Sequence, residues 1–231
     1  MLEIRKEFLP MSRPAIGEEE IEAVAASMRS GWITSGPRVA ELEERFRALT
    51  GAPHAVAVAS ATAGMHLVLA ALGVGPGDEG GTPSLTFAST VNQVALRGAA
   101  PVFADSDYGT LQVDPGDLAR RITARTKAVV PVHFAGAPAD LDPIREAADR
   151  AGVPVVEDAA HAVGTVYRGR PAGGLGNIAV YSFHPIKNVT TGEGGMVTCY
   201  DERLARTLRL LRFHGIERDA WKRYGQGGTP L

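Results

Sequence analysis

The 231 residues include 45% apolar side chains, enough for a sizeable core in one large domain or two small ones. Twenty-four Lys and Arg against 26 Asp and Glu give a formal charge of -2 with no block of like charge, which argues against nucleic acid as a partner. The one cysteine, Cys199, excludes an internal disulfide, and "MLEIRKEFLP" lacks the apolar core of a signal peptide, so the chain reads as cytoplasmic.

Along the chain, "GEEEIEAVAASMRSG" spaces Ile21, Val24 and Met28 helically, with acids in its first turn and a stop at Gly31, as a surface helix does. "GPRVAELEERFRALTG" then puts Pro37 near a helix start and Val39, Leu42, Phe46 and Leu49 along one face. Residues 1–50 therefore read as an N-terminal helical segment and 51–231 as the main domain. The stretch "AVAVASATAGMHLVLAALGVG" has no Asp, Glu, Lys or Arg and is long enough to span a bilayer, yet Ser60, Thr62, Gly64 and His66 interrupt it. A buried strand, a tight turn and a buried helix account for the same letters, and no membrane span is expected.

Strand "AVAVAS", helices through "MHLVLAAL" and near "FASTVNQVALRG", strand "PVFAD" and a helix after Asp114 follow in turn. Strand "AVVPVH", helix "DLDPIREAADRAG", strands "VPVVED", "NIAVYSF" and "GGMVTCY", and helix "DERLARTLRLLRFHG" complete the pattern, before a loop composition in "YGQGGTPL". Short β-rich runs alternating with helical ones predict an α/β fold with a mostly parallel sheet.

In such a sheet, ligands bind beyond the carboxyl ends of the strands. "SATAGMHL" turns small residues into a helix N-terminus where backbone N–H groups, Ser60 and Thr62 can hold a phosphate, or where Ser60 or Thr62 is an ordinary cap. "VVEDAAHAVG" places Asp158 at a strand end, either to hold the protonated nitrogen of a pyridine cofactor or to cap a helix, with His161 three residues on. "SFHPIKNVTTGEGG" delivers Ser182 and then Lys187 into a loop, where a desolvated lysine can form a Schiff base. "PSLTFAST" sets Phe87 at a helix start, to stack on a ring or to fill the core. A phosphate cradle, a buried acid and a lysine, each after a different strand, are the three fixtures that pyridoxal phosphate needs.

The run from "FLPMSRPAIGEEE" through "SGWITSGP", "SATAGMHL", "PSLTFAST", "AVVPVHFAGAPADLDPI", "VVEDAAHAVGT" and "YSFHPIKNVTTGEGGMV" to "LRFHG" resembles the DegT/DnrJ/EryC1/StrS aminotransferases over essentially the whole chain. Within that family it looks most like the enzyme that aminates UDP-4-keto-arabinose for lipid A modification. The resemblance implies the large domain of PLP-dependent transferase fold type I, with helices on both faces of the sheet. It makes Lys187 the lysine bonded to pyridoxal 5′-phosphate and Asp158 the partner of the ring nitrogen. Phe87 becomes the stacking face and His161 a neighbour of the ring, with Ala61, Thr62 and Ser182 as the phosphate contacts. The implied reaction moves an amino group from L-glutamate, released as 2-oxoglutarate, to the C4 ketone of a nucleotide-linked keto-sugar in a homodimer.

Two departures from the family stand out. Where relatives continue after "GPGDE" with a β-branched strand, this chain has Gly80 and Gly81, which are expected to weaken the strand and loosen the loop holding Phe87. Relatives also continue past the position of Leu231 with a small C-terminal domain, so a non-catalytic remnant that keeps the fold is the alternative reading. A dehydrogenase lacks its G-x-G-x-x-G turn, since "GVGPG" is followed by no helix, and His133, His161, His184 and His214 show no H-E-x-x-H spacing for a metal hydrolase.

Overall fold

The computed structural model describes residues 7–10 and 12–216. The loop expected for "YGQGGTPL" lies outside the described residues. Helix α1 (Glu18–Arg29) opens with Glu18, Glu19 and Glu20 at its electropositive end, where the Glu20 carboxylate accepts from Gly17 N at 2.7 Å. Its apolar residues Ile21, Val24 and Met28 are all more than half exposed. Helix α2 (Pro37–Thr50) starts on Pro37 and stops at Gly51, whose φ of 74° supplies the left-handed turn. Phe46 is its anchor, packed edge-on against Tyr181 and Phe183 at 4.8 and 5.7 Å between ring centres. Leu49 stays half exposed while Thr50 is buried, because four residues past Phe46 falls closer to the core-facing stripe than three does.

The main α/β unit follows in chain order: β1 (His54–Val58), α3 (Ala61–Ala71), β2 (Glu79–Pro83), α4 (Ala88–Leu96), β3 (Ala100–Ala104), α5 (Pro115–Arg121), β4 (Thr126–Val129), α6 (Leu141–Ala151) and β5 (Val156–Asp158). A two-residue-stranded hairpin, β6 (Val166–Tyr167) and β7 (Arg170–Pro171), precedes β8 (Ile178–Ser182), β9 (Gly195–Cys199) and α7 (Glu202–Arg212). The uncharged stretch after Ala55 is thus strand, turn and helix, and among the described residues no helix is long and apolar enough to cross a membrane.

Strands β3, β2 and β4 pair in parallel, and parallel bridges Val129–Val155 and Val132–Asp158 carry the pairing on to β5. From β5 the order runs to β8 in parallel, then to β9 and β1. Within this sheet β9 runs antiparallel to both of its neighbours, with Val56 opposite Val197 on one side and Val180 opposite Val197 on the other. Side chains alternate between the faces, as strand geometry requires. Ile178, Val180 and Val197 pack with Val68, Leu69 and Leu208 of α3 and α7, whereas Ala179, Tyr181 and Met196 pack with Phe46 of α2. Further along, Val129 and Val155 meet Leu118, Leu141 and Ile144 of α5 and α6. Helices therefore cover both faces, and a sheet buried on both sides explains the continuous apolar runs.

Gly80 and Gly81 correct an expectation. They lie in β2, every residue of which is buried, and they do not leave a void. A Cβ on Gly80 would sit 2.9 Å from both Val94 methyls, and one on Gly81 would sit 3.2 Å from Leu118 Cδ1. The helices press on the strand where it has no side chains, so the close approach replaces the packing that β-branched residues would supply. The segment leading to Phe87 thus leaves a strand paired along its whole length with β3 and, over Glu79–Gly81, with β4, where the register shifts between Glu79 and Gly80.

Gly195 makes a second close approach, at the start of β9. A Cβ there would meet Ser60 C and the Tyr181 carbonyl oxygen at 2.7 Å and Ala61 N at 2.8 Å. All three are main-chain atoms that no rotamer change can move, so Gly195→Ala is expected to destabilise the fold by ~1–3 kcal/mol or more. Urea unfolding of the variant beside wild type measures this, and an unchanged midpoint would remove the close approach from the account.

Candidate active site

The carboxyl ends of β4, β5 and β8 and the first turns of α3 and α4 surround one cavity of about 700 Å³. That volume is typical of small-molecule sites. All seven residues singled out from the sequence line it: Ala61, Thr62, Phe87, Asp158, His161, Ser182 and Lys187. They arrive on four separate stretches of the chain, so the sheet and not the local sequence brings them together.

Ala61 and Thr62 are the first two residues of α3. Ser60 caps the helix, its Oγ accepting from Ala63 N at 3.1 Å. The ordinary-cap reading therefore holds for Ser60, and the N–H groups of Ala61 and Thr62 remain without intrahelical acceptors at the positive end of the helix dipole. Ser182 ends β8, is 6% exposed, and accepts from His184 N at 3.3 Å, which leaves its own hydroxyl proton to donate. Donors of this kind at a helix N-terminus form an anion site.

Asp158 ends β5 and is 8% exposed. Its main chain is clamped to the segment that follows β4, with Asp158 N donating to Pro131 O at 2.8 Å and His133 N donating to Asp158 O at 3.0 Å. Its carboxylate accepts from Ala160 N on Oδ1 at 3.1 Å and from the Thr90 hydroxyl on Oδ2 at 2.5 Å. Asp158 caps no α-helix, since the chain after it turns through His161 towards the β6–β7 hairpin. A nearly buried carboxylate with lone pairs to spare suits a cationic N–H donor.

Lys187 sits half-buried in the loop between β8 and β9, which is tied at several points. Lys187 N donates to His184 O at 2.9 Å, the Phe183 carbonyl accepts from Thr191 N and the Thr190 hydroxyl, and Asn188 Nδ2 reaches Val163 O at 2.5 Å. Burial lowers the Lys187 ammonium from the ordinary lysine range, and the Asp158 carboxylate partly opposes that shift. His161 is likewise lowered, first by burial and then by the Lys187 charge, with Asp158 opposing. Its ring is therefore neutral at neutral pH.

Phe87 is the N-cap residue of α4 and is 73% exposed, so it is not core and offers a ring face at the cavity. Thr86 and Thr90, not singled out from the sequence, line the cavity beside it. Thr90 lies one turn before buried Val94 on the core-facing stripe of α4, and a polar residue on such a stripe signals a buried partner. His133, weighed from the sequence only as a metal ligand, is fully buried instead: it pairs with Glu157 Oε2 at 2.8 Å and accepts from Ala139 N at 3.1 Å. Asn177 and Gly173 complete the donors to Glu157. Among the described residues no group of three or more His, Cys, Asp or Glu side chains is placed to hold a metal ion.

The donor set fits a phosphorylated pyridine. It offers helix-end N–H groups and hydroxyls for the phosphate, an acid for the ring nitrogen, an aromatic face for the ring and an amine of lowered basicity in one cavity.

Solved structures with the same fold carry the comparison further. DesV of S. venezuelae, in complex with a ketimine intermediate, is 41% identical with a TM-score of 0.85, matching 87% of this chain and 55% of its own. DesI, solved in the presence of its TDP-sugar product, is 39% identical with a TM-score of 0.86, over 98% of this chain and 56% of its own. Spr1654 of Streptococcus pneumoniae in its PLP-form is 36% identical with a TM-score of 0.86, over 90% and 58%. The chain thus spans less than two thirds of the length of these relatives. Residues 14–228 match the family model of the DegT/DnrJ/EryC1/StrS aminotransferases, and the chain belongs to that family.

Proposed function

We propose that residues 51–231 are the cofactor-holding large domain, preceded by the helical segment 1–50, of an aminotransferase that moves the amino group of L-glutamate to the C4 ketone of a nucleotide-linked keto-sugar. The observation that carries the proposal is the convergence of Lys187, Asp158 and the α3 N-terminus on one cavity. Pyridoxal 5′-phosphate is the cofactor, and when bound it supplies an electron sink for charge developing at the substrate carbon. Ala61 N, Thr62 and the Ser182 hydroxyl hold its phosphate, Phe87 covers a ring face and Asp158 keeps the ring nitrogen protonated.

Lys187 Nζ would hold the cofactor and would take the proton from the α-carbon of glutamate. In the second half it returns a proton to C4 of the sugar. Attachment and proton removal need the neutral amine, whereas the return of a proton uses the ammonium that removal forms, and burial of Lys187 brings the neutral form within reach of lower pH than a solvated lysine allows. Neutral His161 stands beside Lys187 without adding a positive charge at neutral pH.

A UDP-4-keto-pentose is the substrate to which the sequence resemblance points, and the TDP-sugar product of DesI makes a TDP-4-keto-sugar the comparison. A homodimer, as the resemblance implies, is the proposed assembly. The test is mass spectrometry of each keto-sugar incubated with the chain, the cofactor and L-glutamate. Amination of the UDP-sugar with stoichiometric 2-oxoglutarate supports the proposal. Amination of the TDP-sugar alone corrects the nucleotide, and no product from either rejects amine transfer by this chain.

Phe87→Ala tests the stacking role. It removes an exposed side chain, so stability should change by less than about 0.5 kcal/mol, while cofactor affinity falls about tenfold if an aromatic contact of ~1 kcal/mol or somewhat more is lost. Equilibrium titration with pyridoxal phosphate, run beside a thermal melt, separates the two.

A further inference from the structure

Thr90 is 1% exposed on α4, and its hydroxyl donates to Asp158 Oδ2 at 2.5 Å across 68 positions of sequence. Behind it the Thr86 hydroxyl donates to Thr90 Oγ1 at 3.1 Å, so Thr90 accepts from Thr86 and directs its single proton to the acid. The other carboxylate oxygen is held by Ala160 N at 3.1 Å. Each oxygen of Asp158 is therefore pinned by one donor from a different segment, and the plane of the carboxylate is fixed. A carboxylate held in this way presents its remaining lone pairs in a set direction to a proton-bearing ring nitrogen.

We propose that Thr90, backed by Thr86, is a positioning residue that orients the Asp158 carboxylate for the pyridine nitrogen of the cofactor. The proposal rests on the reading of Asp158 given above and extends it to a pair of hydroxyls on α4. A purely structural role for Thr90 would also explain its burial, so the experiment must separate the two.

The measurement is the dissociation constant of pyridoxal phosphate for the full chain, titrated by absorbance, in wild type, Thr90→Val and Thr90→Ser. The same proteins are titrated with the 1-deaza analogue, in which a C–H group replaces the ring nitrogen. Valine keeps the shape and removes the donor, and its affinity for pyridoxal phosphate is expected to fall about tenfold, the scale of one hydrogen bond to a charged group. Serine restores the hydroxyl and should stay within about threefold of wild type. With the 1-deaza analogue the three proteins should bind alike, because Asp158 has no nitrogen to hold.

Equal affinity of Thr90→Val and wild type for pyridoxal phosphate would overturn the proposal. So would an equal loss with both ligands, or a serine variant as impaired as valine, since either points to packing. Wild type with no Lys187-dependent binding would reject the underlying reading itself. Melting of each apo-protein controls for folding. If Thr90→Val is unstable, Thr86→Val takes its place, with a loss of about threefold expected for pyridoxal phosphate and none for the analogue.

Discussion

Replacing Lys187 by alanine is expected to lower kcat for amine transfer by ~10⁴-fold or more, because both covalent attachment and proton movement at the reacting carbon depend on one amine. The fold should survive. The loop is fixed by the Phe183 carbonyl, Thr190, Thr191 and Asn188, none of which needs the Lys187 side chain. A melting temperature close to wild type, together with no detectable 2-oxoglutarate, is the predicted pair of results. Residual transfer within a hundredfold of wild type would move the role to another group.

The pH dependence follows from the charges around this amine. Burial lowers Lys187 and the Asp158 carboxylate raises it, so the neutral amine is lost as pH falls through its folded-state value. Attachment of the cofactor to the apo-protein should therefore show an acid limb, lying at lower pH than for a solvated lysine.

Asp158→Asn is the second large effect, expected to cost ~10³-fold in kcat/KM for L-glutamate. An amide donates or accepts but carries no charge, so it cannot keep a ring nitrogen protonated, and the electron sink weakens at the transition state. The same change should shift the acid limb of Lys187 to lower pH, since the carboxylate that raises both Lys187 and His161 is gone. Cofactor titrations between pH 6 and pH 10 and steady-state kinetics read the two effects separately. A variant within tenfold of wild type would mean that the ring nitrogen is held by another group.

Six of the seven candidate residues were legible in the sequence because they lie at or just past the end of a short apolar run, where an α/β sheet presents its ligand-binding edge, whereas Phe87 follows β2. Strand β2 is harder to see. Gly80 and Gly81 have no side chains to show a period, and what fills their space is Val94 and Leu118, 14 and 37 positions later. The direction of β9 also escapes composition, although the 12 residues between Ser182 and Gly195 contain no helix and so make no crossover for a parallel strand. The helical spacing of α1 is plain from Ile21, Val24 and Met28, but which residues are covered depends on neighbours that spacing cannot name. Thr90 shows the same limit at the site, for its value lies in Asp158 on a distant strand.

The most direct test of the account is the absorbance spectrum of the purified chain with pyridoxal phosphate, wild type beside Lys187→Ala, followed by L-glutamate. The account predicts a visible band that forms with wild type, is absent from the alanine variant, and is replaced on addition of glutamate as 2-oxoglutarate appears. Identical spectra for the two proteins would contradict it, because the cavity would then hold the cofactor, if at all, without the lysine on which every later step depends.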